Sequence, residues 1–92
     1  MNRAAKGARN EHRSMEWLER QGYAMTRSAA SLGAWDLVGV RRDGFVLVQV
    51  RTRDWPGPTE RAILAEFSAP SNCRKELHRW RPRMRTPDVM EI

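Results

Sequence analysis

The spacing of apolar residues changes period along the chain, and each change predicts an element. Between Ala8 and Gly22, Ala8, Glu11, Met15, Leu18 and Gly22 share one narrow stripe at about 100° per residue, while Arg9, Arg13, Glu16 and Arg20 lie opposite. This predicts an amphipathic helix over about 8–21, stopped by Gly22. Tyr23 to Arg27 reads as a short strand, followed by a loop of small residues, Ser28-Ala29-Ala30-Ser31-Leu32-Gly33, that lets backbone approach something closely. Trp35 to Val40 and Phe45 to Arg51 read as strands joined by a tight hairpin at Arg41-Arg42-Asp43-Gly44. Both are apolar on alternate and intervening positions, so they are expected to be central and covered on both sides. After Pro56-Gly57-Pro58, the stretch Thr59 to Phe67 places Ile63, Leu64 and Phe67 at helical spacing behind Thr59 as N-cap. Glu76 to Trp80 and Val89 to Ile92 are candidate late strands at the sheet edge. The expected class is α+β: helix, three-strand meander, helix, then edge strands, in one domain over residues 1–92.

Charge narrows the function. Seventeen basic side chains against 11 acidic give +6, which favours polyanionic partners such as nucleic acid. Only Lys6 and Lys75 are lysines, leaving 17 − 2 = 15 arginines. Guanidinium forks onto phosphate oxygens, although a GC-rich genome produces the same bias. The single Cys73, with His12 and His78, excludes an internal disulfide and a spaced zinc set, and points to a reducing compartment. No apolar run is long enough for a membrane span or a signal-peptide core, so a cytoplasmic protein is expected. At 92 residues the chain is near the size at which a partner chain helps to complete a core. The four tryptophans, Trp17, Trp35, Trp55 and Trp80, suit a core or an interface better than base stacking.

Two carboxylates are out of place. Glu11 lies on the apolar stripe of its helix, where it either meets a cation, lies at the stripe's open end or simply answers the helix dipole. Asp36 lies inside an apolar strand, where Asp is disfavoured. With an even hairpin loop, cross-strand partners sum to 87 or 85, and Asp36, Gln49 and Arg51 then project from one face whose remainder, Val38, Val40, Phe45 and Leu47, is apolar. That arrangement is either a site at the edge of the sheet or a fraying strand end with Asp36 paired to Arg51.

The order Gly7-x-x-Asn10-Glu11, Gly22-Tyr23, Arg27-Ser28, Gly33-x-x-Asp36-Leu37-Val38-Gly39-Val40 and Val48-Gln49-Val50-Arg51 resembles the archaeal-type Holliday junction resolvases. These belong to the restriction-endonuclease-like nucleases, whose signature is a helix Glu, a strand Asp and a (Glu/Asp/Gln)-x-Lys on the next strand. The resemblance spans about residues 7–53. It implies a central mixed sheet flanked by helices and hydrolysis of DNA phosphodiesters at four-way junctions. It implies Glu11, Asp36 and Gln49 as ligands of Mg²⁺, with Mn²⁺ as substitute, and a catalytic set of those three with Arg51. Gln49 stands where many relatives carry an acid, and Arg51 where the family carries Lys. In that place Arg51 would hold phosphate and stabilise charge but could not serve as a base. Asp54, Glu60 and Glu66 are the candidates to supply the missing acid. Symmetric cutting implies a homodimer. Arg3, Lys6, Arg9, Arg27, Ser28, Arg41 and Arg42 are the expected DNA contacts. The competing readings are a nuclease of the same superfamily for other DNA structures, and a non-catalytic nucleic-acid-binding dimer on the same fold.

Overall fold

The computed structural model describes the chain from Arg3 to Ile92, with side chains from Gly7 onward. The first helix, α1 (Arg3–Glu19), is followed by β1 (Ala24–Arg27), β2 (Leu37–Arg41), β3 (Gly44–Arg51), α2 (Pro58–Glu66), β4 (Cys73–Arg79) and β5 (Asp88–Glu91). The strands form one mixed sheet in sequence order. The first three run antiparallel, β3 and β4 run parallel, and β4 and β5 run antiparallel. A parallel pair needs a crossover, and α2 lies within it.

Each helix covers one face. Leu18 of α1 and Tyr23 pack against Leu37, Val46 and Val48, while Leu64 of α2 packs against Trp35, Leu47 and Leu77 on the other side. The helix stop is as expected: Gly22, at φ 97°, lets its own N–H reach Glu19 O and the Tyr23 N–H reach Leu18 O. Trp35 and Trp80 are buried, the other two tryptophans partly so.

Several expectations need correction. β4 is an inner strand and not an edge strand, because β5 covers its outer side; Glu76, Leu77 and His78 are consequently buried. The second helix begins at Pro58, capped by Gly57 with no side-chain cap bond, so Thr59 lies inside the first turn. A proline at the first helical position leaves Thr59 no capping place. Of its apolar residues only Leu64 is buried. The Asp-Gly pair is split: the turn is Arg42-Asp43, and Gly44 opens β3 opposite Arg41. A Cβ on Gly44, at φ 154°, would collide with the carbonyl oxygen of Asn72. Nor is the central hairpin covered on both sides. Short α2 leaves the tip bare, with Val40 47% and Phe45 39% exposed.

Candidate functional site

The site is built at the open end of the β2–β3 hairpin, where the ladder stops being regular. Pairs sum to 85 from Arg41↔Gly44 through Leu37↔Val48, one of the two even registers expected. Continued straight, that register would set Asp36 opposite Gln49. Instead the Asp36 N–H donates to Val48 O at 2.8 Å, so Asp36 and Leu37 both face Val48. Two residues against one is a bulge, which bends the strand and re-aims a side chain. Strand parity therefore does not extend to Asp36, and the expected common face holds only for Gln49 and Arg51.

The re-aimed carboxylate is held tightly. Asp36 Oδ2 accepts the Val50 N–H at 2.7 Å, and Asp36 O accepts the Ser28 N–H at 2.9 Å. The loop beneath is strained at two alanines: Ala29 and Ala30 have φ 50° and 68°, in the left-handed region that Gly33, at 62°, enters freely. Alanine there costs about 1 kcal/mol each, tolerated where surrounding contacts fix the loop. Ser28 supplies such contacts. Its buried hydroxyl donates to Trp35 O, which corrects its assignment as a DNA contact: the side chain shapes the Asp36 loop from below. Burial pushes the Asp36 carboxyl above its usual range, and the nearby negative Glu11 adds to this. The Val50 N–H, Arg51 and Arg27 oppose the rise.

Glu11 does meet a cation, accepting from Arg27 Nε at 2.8 Å. Arg27 is thereby joined to the site, and half of its side chain stays exposed. On the α2 side, Gln49 Nε2 donates to Glu60 Oε1 at 3.1 Å and to Ala34 O at 3.4 Å. Both neighbours are acceptors, so the amide orientation is fixed. Its Oε1 is buried and has no partner, although Gln49 is 94% buried (100 − 6). An amide oxygen left bare inside a protein is costly and marks a place where a donor or cation belongs. Arg51 lies 3.6 Å from Glu60 and donates to Asp54 O at 3.2 Å. Asp36 is thus not paired with Arg51. Of the three candidate replacement acids, Glu60 is the one beside Gln49.

Asp36 feels charge from both sides: Glu11 and Arg27, paired on the α1 side, and Arg51, which lies with Gln49 and Glu60 on the α2 side. Among the described residues no three His, Cys, Asp or Glu side chains converge on one point. A hard cation would therefore rest on two carboxylates and an amide oxygen. Those donors suit Mg²⁺ in kind, and the bare Gln49 oxygen fits the third place.

The remaining basic residues divide by location. Arg3 and Lys6 lie outside the residues whose side chains are described. Arg41 and Arg42 stand at the hairpin tip, the far end of β2 and β3 from the site. Arg41 is engaged there by Asp43 and Gln21 O and lies 4.2 Å over Tyr23, whereas Arg42 is exposed. Arg9 lines a cleft with Arg13, Arg81 and Arg83, three residues the sequence did not single out.

A helix, an antiparallel meander, a crossover helix, a parallel strand and a returning edge strand define the restriction-endonuclease-like fold, with the expected acids at the end of its central hairpin. Among solved structures, the chain is similar to Hjc of Archaeoglobus fulgidus, a Holliday junction resolvase from an archaeal hyperthermophile. The TM-score is 0.73 at 20% identity, over 94% of this chain and 72% of that one. The resemblance noted in the sequence thus holds for the fold. No protein-family model and no curated protein sequence matches the chain. No helix among the described residues is long and apolar enough to cross a membrane.

Proposed function

We propose that this chain is a metal-dependent, structure-selective DNA endonuclease of the resolvase kind, cutting four-way junctions as a homodimer. The observation that carries this is the bulged Asp36, its carboxyl pushed up by burial and by Glu11, at the hairpin end where a buried Gln49 oxygen has nothing to bind. Glu11, Asp36 and Gln49 Oε1 would hold Mg²⁺ or Mn²⁺. Once bound, the ion would acidify a water and neutralise charge on the scissile phosphate.

The chain's own groups do the rest. Glu60 holds the Gln49 amide so that its oxygen, not its nitrogen, is free. Arg51 is placed to grip a phosphate oxygen and to stabilise the charge that grows there, keeping its proton throughout. Water attacks phosphorus in line and releases its proton to solvent, the opposite P–O bond breaks, and the departing oxygen takes a proton from solvent in turn. The uncovered side of the hairpin, Val38, Val40 and Phe45 with Ala24 and Thr26, supplies an apolar surface for a second copy, whose site would make the symmetric second cut.

The test is incubation of end-labelled four-way junction and matched linear duplex with Mg²⁺, Mn²⁺ or EDTA, beside Asp36→Ala. Paired, metal-dependent cuts in the junction alone, absent in the variant, are expected. Equal cutting of both substrates would replace junction selectivity by a broader nuclease. A second reading, a binding dimer without chemistry, is favoured by one observation: Arg27 already occupies Glu11. Tight junction binding with no cut in any metal would establish it.

A further inference from the structure

Beside the candidate site lies a cleft of about 180 Å³ whose walls carry four arginines, Arg9 and Arg13 from α1 and Arg81 and Arg83 from the turn after β4. No acid lines it. Its floor is rigid. Trp80 is buried, and its indole N–H donates to Ser14 Oγ at 2.7 Å. The Arg13 guanidinium lies 4.0 Å over that ring and donates to Met84 O. Arg81 reaches Asp88 only at 3.4 Å, since Arg79 holds that carboxylate at 2.9 Å. Arg9 and Arg83 form no ion pair among the described residues, and Arg83 is presented from a left-handed backbone at φ 68°. Four guanidinium groups gathered with one carboxylate in reach, Asp88, which Arg79 shares, repel one another unless an anion enters. Their planar forks match phosphate oxygens.

Two hydrogen bonds tie the cleft to the site. Asn10, on its wall, precedes Glu11 on α1 and donates to Thr52 Oγ1 at 3.4 Å, next to Arg51. The Trp80 N–H, at its floor, donates to Arg51 O at 2.9 Å. We infer that this cleft is a second phosphate site, which holds a backbone phosphodiester of the same DNA strand flanking the one placed at Arg51. The inference rests on the function proposed above, and it adds Arg13, Arg81 and Arg83 to the DNA-contacting residues. A strand seated at both points is fixed in direction as well as in position, because two contacts define a line where one defines only a pivot.

Binding to a labelled junction is measured in EDTA, so the result does not depend on cleavage. Arg83→Gln is expected to weaken binding about tenfold, as for loss of one charge-assisted contact. The slope of log K against log salt should shrink by about 0.9. Arg20→Gln, an equal loss of charge at an exposed position away from the cleft, should change binding less than about twofold. Arg9→Gln, on the opposite wall, should repeat the Arg83 loss. A scan of neutral methylphosphonates along the strand then locates the contact. At one position the wild type loses about tenfold and Arg83→Gln loses nothing further. Cleavage by the wild type, with no such position or with Arg83→Gln no worse than Arg20→Gln, overturns the cleft and leaves the nuclease standing. Coupling at one position without cleavage in any metal keeps the cleft and removes the nuclease.

Discussion

Two polar clusters are buried in this small protein, and they are finished to different degrees. Beneath α1, Ser14 Oγ meets the Trp80 indole at 2.7 Å and His78 Nδ1 at 2.9 Å. His78 Nε2 meets Glu76 at 2.9 Å, and Glu76 meets Arg74 at 3.2 Å. Every buried side-chain polar atom there has a partner. At the end of the hairpin, Gln49 Oε1 has none, and the Asp36 carboxyl is pushed up by burial and a like charge. Ser, His and Glu in hydrogen-bonded sequence invite a catalytic reading, yet Ser14 and His78 are fully closed to solvent. A completed network specifies a core, whereas an incomplete one is arranged around something still to arrive.

That contrast can be broken at several points, in descending size of effect. Asp36→Ala should lower junction cleavage by more than about a hundredfold, beyond what outer-sphere changes at metal sites cost, with junction binding kept. Equal cleavage would move the chemistry elsewhere. Ser14→Ala orphans the Trp80 and His78 nitrogens, and should cost about 1–3 kcal/mol in urea unfolding with cleavage per folded molecule unchanged. A loss of cleavage greater than the loss of folded protein would give the buried cluster a functional part.

Gln49→Glu alone sets a carboxylate against Glu60 and should lower Tm in EDTA. Adding Glu60→Gln should restore it by reversing the hydrogen bond. The exchanged pair should bind Mn²⁺ about tenfold more tightly than wild type by electron paramagnetic resonance titration, as expected for a negative ligand in place of a neutral one. Unchanged affinity would exclude position 49 from the ligand set. The smallest effect concerns Asp36→Asn. A raised folded-state pKa makes Asp36 favour folding only while protonated, a contribution present below its unfolded value of 3.8 and lost as pH rises through the folded one. The neutral variant should therefore show a slightly higher Tm at pH 7, with the gap closing as the pH falls toward the acid range.

Much of this was legible from the residues. The α1 stripe, the meander, the hairpin register and the crossover helix follow from apolar spacing and turn residues, and the misplaced Glu11 and Asp36 fall at the candidate site. What periodicity does not convey is departure from periodicity. The bulge at Asp36 has no signature beyond a polar residue beside a strand, so counting parity gives its face wrongly. β4 reads as an edge strand because its apolar alternation is thin, and its polar Glu76 and His78 are buried only once Ser14 is brought against His78 from α1 and β5 pairs along the outer side. Glu60 was one of three acids at equal standing, and only the placement of α2 over Gln49 separates it from Asp54 and Glu66. The arginine cleft joins residues about seventy positions apart, beyond the reach of any local pattern.

The anchoring of α2 has a consequence for how the site behaves in time. The helix is nine residues long, starts at a glycine cap without a side-chain bond, and buries one side chain, Leu64. A segment so short, tied down by one buried side chain and by the Lys75 ammonium on its last carbonyls, is expected to open at a free energy below that of unfolding the sheet. Its amides should exchange with deuterium long before those of β3. With each opening Glu60 leaves and the Gln49 amide is released to rotate, so one arm of the site is intermittently dismantled while Asp36, bound into the ladder, keeps its place.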